Sequence, residues 1–222
     1  MKNVTLVCAF TFAAVVGSVS AIDINIHITD FKTASENSSS LGDLSGGTST
    51  TATQTYTLTN LDFTSIGGTA SETINFSVDL SGTSGGSAST VGYKTWGDAF
   101  VGGSNTEVGE VLTATLGTIT SSFTGGTVAF AGFTNAFIEA LITGEEASVG
   151  HAGGMLTVLG TADNEANQAI PLSPWVSMAP TVGSMNIGGY DLRLTAVPEP
   201  ASASLLLGIA CVSGVLFRRC RR

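Results

Sequence analysis

Four isoleucines at every second position, Ile22, Ile24, Ile26 and Ile28, alternate with Asp23, Asn25, His27 and Thr29. Only an extended strand sorts two such sets onto opposite faces, so this stretch reads as a half-buried strand. The same period returns at Ile74, Phe76, Val78 and Leu80, around Tyr56 and Leu58, and in the Thr-rich run from Val111 to Leu116. Helical spacing competes at Phe137, Ile138, Leu141 and Ile142, but the flanking pattern favours strand. Further strands are expected over 91–101, 127–133, 155–159 and 190–197, with a polar loop over 33–53 and an acidic, then Pro-bearing loop over 161–175. Thr124-Gly125-Gly126-Thr127 reads as a hairpin turn, because paired glycines supply positive φ. Gly-Gly pairs begin at 46, 67, 85, 102, 125, 153 and 188, and this uneven spacing excludes a solenoid or propeller. The expectation is one all-β domain over 22–196, a β-sandwich of jelly-roll-like type with about eight to ten strands.

The two ends have a different character. Residues 1–21 carry a single lysine, an apolar stretch and small residues before Ala21, the pattern of a secretory signal peptide cleaved between Ala21 and Ile22. At the other end Val197-Pro198-Glu199-Pro200 precedes 17 uncharged residues, 201–217, and then a tail, 218–222, holding Arg218, Arg219, Arg221 and Arg222. A run of that length is just enough for one transmembrane helix, and the arginines would keep the tail cytoplasmic. Pro198 and Pro200 fix φ, remove two donors and favour an extended peptide outside the bilayer. This arrangement resembles the PEP-CTERM sorting signal of exported bacterial proteins. The resemblance implies recognition of Pro198, Glu199 and Pro200 by an exosortase, loss of the segment beyond them, and an association with exopolysaccharide. The partners expected on this reading are the Sec translocon, signal peptidase and exosortase, with a transient single pass through the inner membrane before the cell surface or medium is reached.

Removing both ends leaves Lys32, Lys94 and Arg193 against 17 acids, a formal charge of −14. Such a domain repels nucleic acid and anionic surfaces. Cys8, Cys211 and Cys220 all lie in the terminal segments, so neither a disulfide framework nor a cysteine nucleophile belongs to the exported part.

Little in the body suggests catalysis. His27 sits on the polar face of the first strand and reads as solvated, while His151 lies among glycines, a flexible setting for a metal ligand or general base. The acid pairs Glu107/Glu110, Glu145/Glu146 and Asp163/Glu165 are candidates for a carboxylate hydrolase, which needs two carboxyl groups at a set separation. Asp163 and Glu165 also alternate with Asn167 as calcium ligands do, although Gln168 and Pro174 break the EF-hand pattern. Tyr93, Trp96 and Phe100 form the densest aromatic group, able to stack on a sugar or to fill the core. The resulting expectation is a non-enzymatic surface or matrix protein without a required cofactor. A carbohydrate-binding module is the alternative, and a polysaccharide hydrolase a more distant one.

Overall fold

The structure is a computed structural model that describes residues 20–28, 50–93, 97–103, 105–139, 143–160 and 165–199. Residues 1–19, 201–217, the arginine tail, Pro200, Trp96 and Asp163 lie outside the described residues. Within them run β1 (Ile22–Ile28), β2 (Thr51–Leu61), β3 (Glu72–Ser84), β4 (Ser87–Ser89), β5 (Val91–Tyr93), β6 (Ala99–Val101) and β7 (Thr106–Glu107). After these come β8 (Glu110–Ser121), β9 (Gly126–Glu139), β10 (Glu146–His151), β11 (Gly154–Leu159), β12 (Glu165–Ser173), β13 (Trp175–Val182) and β14 (Ser184–Pro198). A single 3-10 turn, Thr64–Ile66, is the only helical piece among the described residues, and no helix there is long and apolar enough to cross a membrane.

Two antiparallel sheets of seven strands each pack in a β-sandwich-like arrangement. The first follows the order β12-β9-β14-β6-β5, and the second β11-β10-β13-β8-β3-β2, with β4 beside β3. Strand β14 is the spine of the first sheet. One of its edges pairs with β9 from Asn186 to Pro198, and the other receives β7 at Ser184, β6 at Ile187 and β1 from Tyr190 to Ala196. The alternation in β1 holds in this setting: Ile26 and Ile28 are buried, while Asp23, Asn25 and His27 face water.

Between the sheets lie Ile74, Phe76, Val78 and Leu80 of β3, Leu112 and Ala114 of β8, Phe133 and Ile138 of β9, and Leu192 and Leu194 of β14. Tyr56 stacks on Phe76 at 4.8 Å and Tyr190 meets Phe133 edge-on at 5.4 Å. The hydroxyls of Tyr56 and Tyr190 both donate to Gln54 Oε1, at 2.6 and 3.0 Å, so a polar knot ties β2 to β14 across the core. Burial raises the pKa of Tyr56, partly offset by its bond with Tyr190. Burial also raises that of Tyr190, reinforced by Tyr56.

Three expectations are corrected. The loop expected over 161–175 contains β12, and the unassigned stretch after it forms β13. Pro171 had argued against a strand, but β12 is an edge strand, pairs only with β9, and shifts register between Ala169 and Ser173, where a missing donor is tolerated. Nor is Gly125-Gly126 a hairpin turn. It links β8 of one sheet to β9 of the other, and neither glycine has positive φ. Space is the reason for these glycines: a Cβ on Gly126 would lie 2.0 Å from the carbonyl oxygen of Val197, and one on Gly125 2.6 Å from that of Gly67. The tight turn expected of a glycine pair occurs instead at Gly85-Gly86, with φ of 56° and 80° between β3 and β4. The last strand, finally, spans 184–198 rather than 190–197, taking in one more residue of the C-terminal quartet.

Candidate functional site

Both ends of the fold meet at one end of the first sheet. Ile22, the first residue of β1, stands opposite Ala196, and Ala21 just before it is exposed. Across the strand, Val197 pairs with Thr127, Pro198 pairs with Gly126, and the Glu199 N–H donates to the Gly125 carbonyl at 2.8 Å. Val197 and Pro198 are therefore extended and held against β9, and Glu199 is tied to Gly125, rather than standing free. On the opposite edge, no described strand pairs with β14 beyond Ala196. Val197 is 41 % exposed and the Glu199 side chain faces solvent.

A carboxylate clamp supports this end. Glu72 Oε1 accepts from the Thr69 N–H at 2.8 Å and the Thr69 hydroxyl at 3.0 Å, and Oε2 accepts from the Ser122 hydroxyl. Ser122 in turn receives the Thr73 N–H at 2.9 Å. The Ser122 bond, then the Thr69 N–H, hold the Glu72 carboxyl below its ordinary value against a smaller opposing effect of burial. Next to the clamp, Phe63 and Phe123 pack edge to face at 5.2 Å, with Gly68 and Gly125 pressed against them.

Two members of the aromatic group, Tyr93 and Phe100, lie on the paired strands β5 and β6, and Trp96 lies outside the described residues. Phe100 lies over Gly92 of the paired strand, where a Cβ would come within 2.7 Å of its ring, and Tyr93 packs against the core. Both rings are partly buried and contribute to packing.

In two of the acid pairs one carboxylate serves the backbone. Glu110 Oε2 accepts the Glu107 N–H at 2.9 Å, and Glu145 Oε1 accepts the Ser184 N–H at 3.3 Å, so each of these carboxylates holds a turn. Glu165 opens β12 opposite Glu139, and Ala166 and Asn167 continue that strand. Asp163 lies outside the described residues, and among those described no group of three or more His, Cys, Asp or Glu that could hold a metal occurs.

Both histidines are more tightly placed than their surroundings in sequence suggest. His27 is 61 % exposed, yet its Nδ1 donates to Asp191 Oδ1 at 2.6 Å across the β1–β14 register, and its ring meets Phe137 edge-on at 4.9 Å. The pair lines a shallow groove of about 260 Å³ with Asn25, Ile26 and Thr134, open to water and so poorly suited to acid–base chemistry. His151 is buried at the end of β10. Its Nδ1 accepts the Gly153 N–H at 2.8 Å, and there is no room for a Cβ on Gly153 against the ring. The glycines around His151 thus make a close-fitted hairpin rather than a flexible setting.

Trp175 was placed at the end of a loop by the sequence and proves to be an outward-facing residue at the start of β13. Its signal was present in the alternation of Val176, Met178 and Pro180, all buried, with Trp175, Ser177 and Ala179. No protein-family model matches the chain, and neither a curated protein nor a solved structure shows significant similarity to it.

Proposed function

We propose that this chain is an exported, non-enzymatic protein of the cell surface or extracellular matrix, a jelly-roll-like sandwich delivered by an N-terminal signal peptide and sorted through a C-terminal signal of PEP-CTERM type. The Sec translocon and signal peptidase would act at the first end, and an exosortase at the second, after one transient pass through the inner membrane. Exopolysaccharide is the setting the resemblance implies.

The observation that supports this reading is the coincidence of the fold's edges with the two processing points. Pairing begins at Ile22, the residue after the expected signal cleavage, and ends at Pro198 and Glu199 inside the quartet. Trimming at both points would leave every described strand of the sandwich whole. Mass spectrometry of the native protein from cells and medium tests it. The expected chain starts at Ile22 and ends near Pro198 to Pro200, and a chain retaining Arg222 at the surface would overturn the sorting step.

A further inference from the structure

The outer face of the second sheet is assembled by register into straight rows. Trp175 of β13 stands opposite Thr115 of β8, Thr115 opposite Asp79 of β3, and Asp79 opposite Thr53 of β2. All four are exposed. A second row, Met155, Gly150, Ser177, Thr113, Ser81 and Thr51, crosses all six strands from β11 to β2 without a charge. Met155 and Trp175 lean together over Gly150, where a Cβ would lie 2.7 Å from the Met155 sulfur and 3.5 Å from the indole.

The platform is held from below. Buried Ser173 accepts the Ala152 N–H at 2.9 Å and donates to the Trp175 carbonyl at 2.5 Å, pinning the start of β13 to the β10–β11 turn. At the other end of the row, the Thr53 hydroxyl donates to Asp79 Oδ1 at 2.7 Å, orienting that carboxylate.

We propose that this face binds an uncharged polysaccharide, with Trp175 stacked on the C–H face of one sugar and Thr115, Asp79 and Thr53 bonding the hydroxyls of the units beside it. Neighbouring strands are about 4.8 Å apart, close to the length of one hexose along an extended chain, so each strand meets about one sugar. The stacked ring gives apolar area at little entropic cost. The short Thr, Ser and Asp side chains lose little rotamer freedom on binding, and one carboxylate can accept from two vicinal hydroxyls.

Charge selects the neutral class. The rows contain no cation, the one charge in them is Asp79, and the exported segment is formally −14, so uronate or phosphate polymers are repelled. A protein partner fits less well, because an interface core is apolar and here, apart from Met155, the rows beside the indole carry mainly hydroxyls. The surface-protein reading says only where the polymer would be met. Binding needs no C-terminal processing, so a protein that binds glycan yet keeps Arg222 would overturn the sorting proposal and leave this one standing.

Native gels of the full-length chain in mild detergent, cast with a soluble neutral β-glucan, a galactomannan or alginate, test the proposal. Retardation by at least one neutral polymer and not by alginate is expected. Trp175→Ala should weaken it on the order of tenfold or more, Trp175→Phe should retain most of it, and Leu172→Ser, on the other sheet, should change nothing. Near-UV circular dichroism checks the fold. Should Trp175→Ala fail to fold, Thr115→Glu carries the test by placing a charge in the row. The proposal is overturned if no neutral polymer retards the chain, if alginate does so equally, if folded Trp175→Ala and Thr115→Glu bind as the parent does, or if the face instead supports a dimer that Trp175→Ala dissociates.

Discussion

Adding one methyl group at Gly126 should unfasten the end of β14. The new Cβ would sit 2.0 Å from the Val197 carbonyl oxygen, 2.8 Å from the Pro198 Cα and 2.8 Å from the Phe123 ring. Ordinary carbon–oxygen contact is about 3.3–3.6 Å, so the strand must retreat by more than an ångström. Two of the three atoms are backbone, which no rotamer change can move. Overpacking of this kind costs roughly 1–3 kcal/mol, and the lost Glu199–Gly125 hydrogen bond adds about 1 kcal/mol, a total of roughly 2–4 kcal/mol. For a domain of this size that lowers Tm by roughly 5–15 °C. The matched control is Gly103→Ala, since Gly103 has nothing within 4 Å of a Cβ and no positive φ, and its change should stay within about 0.5 kcal/mol. Thermal unfolding of both variants, with hydrogen exchange over 195–199, makes the comparison. Simple fraying would raise exchange there without moving Tm, but Gly126 also presses on Phe123, whose ring packs on Phe63, so both should change. Equal melting of the two variants with unchanged exchange would refute the close-approach argument.

Two further predictions concern pH. The Glu72 carboxyl has a lowered folded pKa, so its contribution is present above the ordinary value of 4.5 and is lost as pH falls through the folded value. Glu72→Gln should therefore melt below the parent near pH 7, with the gap closing as pH falls below 4.5; a gap independent of pH would show that the charge is not what Ser122 and Thr69 respond to. Tyr56 and Tyr190 have raised folded values, so the stability gained by keeping them neutral is present below 10.0 and lost as pH rises beyond it. Phenolate absorbance should then reveal at most one of the three tyrosines titrating before the fold is lost, and reversible titration of all three in an intact fold would contradict the buried knot.

The strands legible in the sequence were those with one wet face. Ile22 to Ile28 and Ile74 to Leu80 alternate because one side of each meets water, and β1 and β3 follow that pattern closely. Strands β10 and β12 were hidden because glycine, alanine and proline dilute their period. Gly150 is small because Met155 and Trp175 cover it, and Pro171 is tolerated because β12 is an edge. At Gly125-Gly126 a local rule gave the wrong geometry, because what demands glycine there is a carbonyl of Val197, about seventy residues away in the chain.

The same distinction separates the two candidate sites. A sorting signal is read as a contiguous peptide, so its residues must stand together in the sequence, and Val197 to Pro200 with the arginines beyond them do. A sheet face is read across strands. Thr53, Asp79, Thr115 and Trp175 share no local motif, and each alone is an ordinary strand residue. They become neighbours only through three registers, β2 on β3, β3 on β8 and β8 on β13, and a slip of one residue in any of them would turn part of the row into the core. In the aromatic cluster that proximity in sequence suggested, Tyr93 to Phe100, the pairing of β5 with β6 lays Phe100 over Gly92. For a Thr-rich sandwich, then, a binding face need not show as density along the chain. The better guide is an aromatic side chain placed in the polar phase of a strand, where the core gives it nothing to do, and Trp175, on the outward phase of β13 with Ser177 and Ala179, satisfies that condition.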